Sequence, residues 1–426
     1  MVDAERSVPA ASMPGMEGWR RAVAATLKGR DFAALQSRTR DNILIEPLYE
    51  RRDDSPSTDG WSSRPWVVVQ CVDDADPDQA NAQALEDVKG GATGLSLSFA
   101  GGPLANGREL PIAAGAMAAA LDRIDLAAIH ICIEPHPRGC DLARDLKALV
   151  ARSGLAPELT SIAFGLDPVG PSVPGSEASE LTSGNVVTCF RELRAAGFRG
   201  PLAAVDGRAC HEAGASEAQE LASIIASAAY WLRALDDAGV SPAEALPYFG
   251  AAIAVDCDQF LSIAKIRALR LLWARLQELC DAPFTPLQIH AVTSRRMLGT
   301  ADPETKLLRN TIAAAAAALG GADSILIHPH DASPQGAKAR MLSRNIHRLL
   351  MDEAGLHEVI DAASGSGAIE ALTDSLAERS WAEFQTIERE GGILASLRAS
   401  ALQTRIAELR NATGTPPAGD GAGATA

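Results

Sequence analysis

Carboxylates, imidazoles and hydroxyls stand at the ends of short apolar runs along this sequence. Glu134 and His136 follow the run Ala127 to Ile133, Asp167 follows Ser161 to Gly165, Asp206 follows Leu202 to Val205, and Asp256 follows Tyr248 to Ala254. Thr293, Ser294 and Arg295 follow Leu287 to Val292, while His328, His330 and Asp331 close the run that starts at Asp323. Ser96 and Ser98 lie in the run Gly94 to Ser98 and join the same set of pocket candidates. Brought to one place, these groups would form a polar small-molecule site. Polar residues also end strands because loops are solvated. The set therefore carries chemistry only if the fold collects it at one mouth.

Two sharper readings of single motifs are weak. His328, His330 and Asp331 invite a metal, since imidazoles at i and i+2 share one face of a strand end. Zinc usually draws its ligands from separated elements, so no metal is expected. Serine hydrolysis lacks a G-x-S-x-G elbow; Gly365-Ser366-Gly367 is too short and lies outside the repeat described next. The cations Lys265, Arg267, Arg270 and Arg275 read as a solvated helix face with one or two ion pairs.

The elements that would position these groups form a repeat. Apolar strands are predicted at 66–71, 94–98, 127–133, 161–165, 202–205, 248–254, 287–292 and 323–328. Helices are predicted between and after them at 77–90, 111–122, 139–152, 178–196, 215–238, 257–280, 303–319 and 335–354. Continuous apolar strands covered by helices imply a parallel sheet. Eight βα units in one chain imply an α/β fold closed as a (β/α)8 TIM barrel, whose ligands sit at the C-terminal ends of the strands. A doubly wound sheet is the rival; it would carry a glycine-rich turn after the first strand, and Val72 to Pro77 has no glycine.

Around this barrel the domain reading is a disordered N-terminus at 1–15, a subunit-contact arm at 16–60, the barrel at 61–395, and a terminal helix with a disordered tail at 396–426. The arm opens on an amphipathic helix with Trp19, Val23 and Leu27 at helical spacing, followed by an extended segment from Asn42 to Tyr49. A charged helix is predicted at 367–390.

Composition narrows the partners. The formal charge of −15 repels phosphate backbones, so no nucleic-acid partner is expected. The seven scattered cysteines contain no C-x-x-C pair and read as reduced thiols of a cytoplasmic protein. The first 30 residues show no signal-peptide apolar region, and no apolar stretch is long enough for a membrane span. The Ala-rich run before Gly320 is too short.

Longer strings carry a resemblance. Asp258 to Arg275, His211 to Ala222, and Leu307 to Ile312 with Gly320 to Asp323 resemble, in order, segments of the methylmalonyl-CoA mutase family. So do Trp19, Lys28 to Arg30, Glu46 to Tyr49, Arg64 to Trp66 and Glu370 to Asp374. The similarity runs over about residues 16–395. It implies a barrel that threads a CoA ester along its axis and a flavodoxin-like domain that supplies adenosylcobalamin through D-x-H-x-x-G. None of the eight histidines stands two residues after an aspartate, so this chain is expected to lack that domain.

The family's active-site residues are also replaced. Its Tyr-His pair before E-A-G-A falls on Arg208 and Ala209, and another active-site tyrosine falls on Trp61. Its H-x-Q-T-S keeps His290, Thr293 and Ser294 but has Val292 for the glutamine. The glutamine after the fourth strand falls near Gly165, while Asp167 is kept. This pattern resembles the small subunit of heterodimeric mutases. It implies a non-catalytic partner of a large, cobalamin-binding subunit, with an acyl-CoA as candidate ligand. The alternatives are an active barrel served by a cobalamin domain on another chain, or a diverged CoA-binding or regulatory protein.

Overall fold

The computed structural model describes residues 15–53, 61, 65–170, 183–331 and 336–414. Eight parallel strands form one sheet: β1 (Val67–Val72), β2 (Gly94–Leu97), β3 (His130–Ile133), β4 (Ile162–Ala163), β5 (Ala203–Asp206), β6 (Phe249–Val255), β7 (Gln288–Thr293) and β8 (Ser324–Leu326). Their order is β4-β3-β2-β1-β8-β7-β6-β5. The two edges meet. Phe164 N donates to Pro201 O at 2.9 Å, and Ala204 N donates to Leu166 O at 2.9 Å. Those bonds complete the expected (β/α)8 barrel.

Local chemistry explains the alternation. Val67-Val68-Val69 suits a strand covered on both faces. Several of the following helices start where a side chain satisfies a free N–H group. Asp76 accepts from Asp78 N at 2.9 Å ahead of Pro77, Asp258 from Leu261 N at 3.2 Å, and Asp302 from Thr305 N at 2.8 Å ahead of Pro303. Ser216 and Gln219 form a reciprocal capping box at the head of Glu217–Asp237. That helix is almost wholly buried, between the barrel and the outer helix Gly367–Arg389. Trp231, Phe249 and Trp273 pack in series across β6, with ring centroids 6.4 and 5.6 Å apart.

Several boundaries move. Residues 127–129 are turn, and the second barrel helix is only Ala116–Ala120. The fourth helix is seen from Ser183 to Ala195, and the first residues of the predicted span lie outside the described ones. The last barrel helix ends in a π turn, Leu349–Glu353. The expected break at 395 falls inside a helix, Ile393–Arg398, which precedes the terminal helix Ala401–Thr413. Of the expected disordered ends, at 1–15 and in the tail from Gly414, all but Gly15 and Gly414 lie outside the described residues.

The solvated face predicted for Lys265, Arg267, Arg270 and Arg275 is overturned for the first two. Lys265 is 1 % and Arg267 3 % exposed. Lys265 donates to Glu220 at 2.8 Å, and Arg267 binds Glu370 at 2.6 Å and also Asp361. The outer helix covers what a free amphipathic helix would expose.

The arm combines the helix Met16–Leu27 with a two-stranded ribbon, Ser37–Arg38 against Leu44–Ile45. Beyond Gln36 it is fastened to its own barrel. Arg40 donates to Gly214 O and Ala215 O at 2.5 and 3.0 Å, and Asp41 accepts from Ala218 N at 3.2 Å. Only Leu27 of the arm helix is buried.

Gly165 marks where β4 turns toward the mouth. It has φ +62°, and a Cβ there would stand 2.0 Å from Ile133 O. Gly165→Ala combines left-handed strain with a backbone clash and should cost about 3 kcal/mol. A urea midpoint unchanged from wild type would disprove this.

Candidate functional site

Alternate residues of a barrel strand face its axis. Here the register directs small ones inward: Ala163, Ala204, Gly250 and Ala252 line the axial space with Cys132. Large branched side chains fill most such barrels. In this one Val69, Val292 and Leu326 form an apolar group, and the filling beside them is ionic.

Arg208 opens the short helix Arg208–Glu212 just after β5 and turns its guanidinium back into the axis. Nη2 lies 2.5 Å from Asp206 Oδ2 and 2.5 Å from Glu134 Oε2. Nε donates to Asp206 Oδ1 at 3.0 Å, and Ser96 Oγ donates to Glu134 Oε1 at 2.6 Å. The side chains of Arg208, Asp206 and Glu134 are 6, 4 and 14 % exposed. Burial alone would raise the Glu134 carboxyl; the Arg208 charge and the hydrogen bonds outweigh it and hold the group at about 2. The same two carboxylates outweigh burial at Arg208 and raise its guanidinium well above its ordinary value.

This cluster divides the axis. Toward the C-terminal mouth remains about 30 Å³, lined by Ser98, Thr293 and His328 among others, roughly one water's share of volume. Toward the N-terminal end lies a cavity of about 130 Å³. His290 and His130 face it, their Nδ1 atoms 2.8 Å from Ser324 Oγ and Ser161 Oγ. Burial pushes the imidazoles down to about 3 and about 4, so both are neutral near pH 7.

The sequence-predicted residues therefore divide. Ser96, Asp206 and His290 meet in the axis with Glu134, and Ser98, Thr293 and His328 meet above the plug. Thr293 Oγ1 accepts from His328 N at 2.9 Å. Asp167 instead closes its own loop by accepting from Val169 N at 2.8 Å, and burial pushes it up to about 7. His330 lines a groove of about 510 Å³ between the β1 and β8 loops, with Arg295, Lys306 and Arg340, and this groove shares Cys71, Arg295 and His328 with the space above the plug. Ala209 stays within its helical turn, half-buried. Trp61 lies at the far end of the barrel, over Gly321, 5.1 Å from the guanidinium of Arg270 and 5.8 Å from that of Arg267. It shares no site with Arg208.

Ser294 joins a network that sequence spacing did not reveal. Its Oγ lies 2.8 Å from His211 Nε2, and His211 Nδ1 lies 3.1 Å from Glu220 Oε2, to which Lys265 also donates. The order Ser-His-Glu is that of a hydrolytic triad. Ser294, His211 and Glu220 are all fully buried, so no substrate carbonyl reaches the hydroxyl. The network ties the β7 loop to the helix Glu217–Asp237. Nearby, Glu212 accepts from Arg295 N and Arg296 N at 2.8 and 2.9 Å, which fixes the same loop. Among the described residues, no cluster of three or more His, Cys, Asp or Glu could hold a metal ion. No described helix is long and apolar enough to cross a membrane.

Residues 202–415, which contain Arg208, the buried network and the outer helices, match the family model for methylmalonyl-CoA mutase. The chain belongs to the methylmalonyl-CoA mutase family. It is 34 % identical to a methylmalonyl-CoA mutase small subunit of Streptomyces virginiae, over 92 % of this chain and 66 % of that protein. It is 34 % identical to a probable methylmalonyl-CoA mutase small subunit of Mycobacterium tuberculosis, over 88 % of this chain and 65 % of that protein. The small subunit of Propionibacterium freudenreichii subsp. shermanii is 29 % identical, over 83 % of this chain and 57 % of that protein. The chain thus spans just under two thirds of the length of the first two mutase relatives.

The ionic plug makes a pH-dependent prediction. Glu134 is held at about 2, below its ordinary 4.5. Its stabilising contribution is present above about pH 4.5 and fades as the pH falls toward 2. Arg208→Met leaves two buried carboxylates without their cation and should cost about 3–5 kcal/mol at neutral pH. In the variant burial is left to raise the Glu134 carboxyl, so lowering the pH from 8 to 5 should narrow its deficit relative to wild type. Denaturation midpoints showing a deficit independent of pH would refute the assignment.

Proposed function

We propose that this chain is the small subunit of a heterodimeric, adenosylcobalamin-dependent methylmalonyl-CoA mutase, and that it serves as the non-catalytic partner of the large subunit. One observation carries the reading: Arg208, Glu134 and Asp206 occupy the barrel axis, where the family resemblance implies that a CoA ester runs. The space directly above them is about 30 Å³, too little for an acyl thioester in the axis itself. Arg208 and Ala209 also stand where catalytic relatives carry a tyrosine and a histidine. Losing a general acid–base imidazole alone typically costs about 100- to 10,000-fold in rate, roughly 3–5 kcal/mol of barrier.

The residues present do not fit the cofactor. Cobalt in this family is held by an imidazole two residues after an aspartate, and no histidine of this sequence is so placed. Three of those around the axis are committed elsewhere: His290 to Ser324, His130 to Ser161, and His211 to Ser294 and Glu220. We therefore assign adenosylcobalamin to the partner subunit. The arm helix Met16–Leu27, with one buried residue, is the surface we assign to that partner.

Two measurements test the reading. Mixed with adenosylcobalamin, the purified chain should convert no methylmalonyl-CoA to succinyl-CoA. In complex with a large subunit, His290→Ala or His328→Ala should change turnover less than two-fold. A hundred-fold loss with assembly intact would show that this barrel is catalytic.

Deleting residues 1–30 should weaken association with the large subunit at least ten-fold while leaving the barrel folded, because Arg40 and Asp41 keep their own anchors. An unchanged dissociation constant, with circular dichroism intact, would remove the arm from the interface.

A further inference from the structure

All seven cysteines are free thiols, and two of them face each other across adjacent barrel helices. Cys140 is the second residue of Gly139–Ser153, the helix after β3. Cys189 lies midway along Ser183–Ala195, the helix after β4. The Cys140 sulfur lies 3.7 Å from Asn185 O, one turn before Cys189, and the Cys189 sulfur lies 3.9 Å from Cys140 O. Each sulfur thus rests on the backbone of the helix that carries the other cysteine.

We propose that Cys140 and Cys189 are a reversible oxidation site, closed to a disulfide by hydroperoxides, which staples together the helices that follow β3 and β4. Disulfides require neighbouring backbones, with Cα atoms within about 7 Å, and here the two sulfurs stand 3.7 and 3.9 Å from carbonyl oxygens of the opposite helix. The pair is also chemically asymmetric. The neighbouring Cys189 lowers the Cys140 thiol, while Cys140, together with burial, raises the Cys189 thiol. Cys140 also stands in the first turn of its helix, where the free N–H groups favour a thiolate. It keeps a 6 % opening to solvent, whereas Cys189 has none.

Cys140 is therefore the attacking sulfur and Cys189 the resolving one. The Cys140 thiolate attacks one peroxide oxygen, the O–O bond breaks, and the departing hydroxide takes up a proton as water, leaving a sulfenic acid. The Cys189 sulfur then displaces the sulfenic hydroxyl, and its own proton leaves with that hydroxyl as a second water. Two thiols are oxidised to one disulfide and one peroxide is reduced to two waters. The staple would pin the mouth-end loop that carries Glu134 and His136.

The full chain, treated with a few equivalents of hydrogen peroxide and quenched with N-ethylmaleimide, should lose two hydrogens in intact mass. Peptide mapping should join Cys140 to Cys189, and dithiothreitol should reverse the change. In Cys189→Ser, dimedone should trap a sulfenic acid on Cys140; in Cys140→Ser, Cys189 should remain a thiol. Exposed Cys257 is the internal comparison for non-specific oxidation. Wild-type protein in which Cys140 and Cys189 stay reduced, or in which either pairs with another cysteine, overturns the proposal.

Discussion

A guanidinium buried on the axis of a parallel barrel must be neutralised where it lies. Removing an ion from water costs several kcal/mol even after relaxation, and only close, well-directed counter-charges offset it. Glu134 and Asp206 supply two for one cation, and Ser96 supplies a donor to the surplus negative charge. Three strands thus contribute to one cluster. The registers of β2, β3 and β5 must agree for those contacts to form, so the cluster selects one arrangement of the barrel.

The same constraint reaches outward through the helix Arg208–Glu212. The carbonyls of the turn that follows it, Ala213 to Ala215, need partners from outside the helix. Three arginines from distant parts of the chain fill that role. Arg296 donates to His211 O and Ala215 O, Arg410 to Ala213 O, and Arg40 to Gly214 O and Ala215 O. The β7 loop, the terminal helix and the arm therefore all grip the turn that aims Arg208. Positive charge at a helix C-terminus is also favoured by the helix dipole. Arm and terminal helix, which look like appendages in the chain order, act as part of the frame around the plug.

Small inward residues account for the space beneath it. Gly250, Ala204 and Ala252 leave the lower axis open, while His290 and His130 stand there as neutral imidazoles held by serines. A barrel that is open below and ionically closed above has the lining of a passage without a through route. The chain thus keeps the barrel while its own axis is shut.

Much of the fold was legible locally. Apolar runs, Asp and Ser caps and helix-breaking turns specify strand and helix through neighbours a few residues apart, and the eight-fold alternation follows from them. The candidate mouth residues were legible because they end strands, and the family through strings such as Asp258 to Arg275. What tertiary structure decided was direction. Glu134 and Arg208 are 74 residues apart, and Ser294 and His211 are 83 apart. No local pattern says that one arginine turns into the axis, that Asp167 folds onto its own loop, or that Trp61 stacks at the opposite end. Nor does helix periodicity reveal that Lys265 and Arg267 lie under an outer helix from another part of the chain. Side-chain direction and burial depend on which distant surfaces meet, and only the closed barrel with its outer helices determines that.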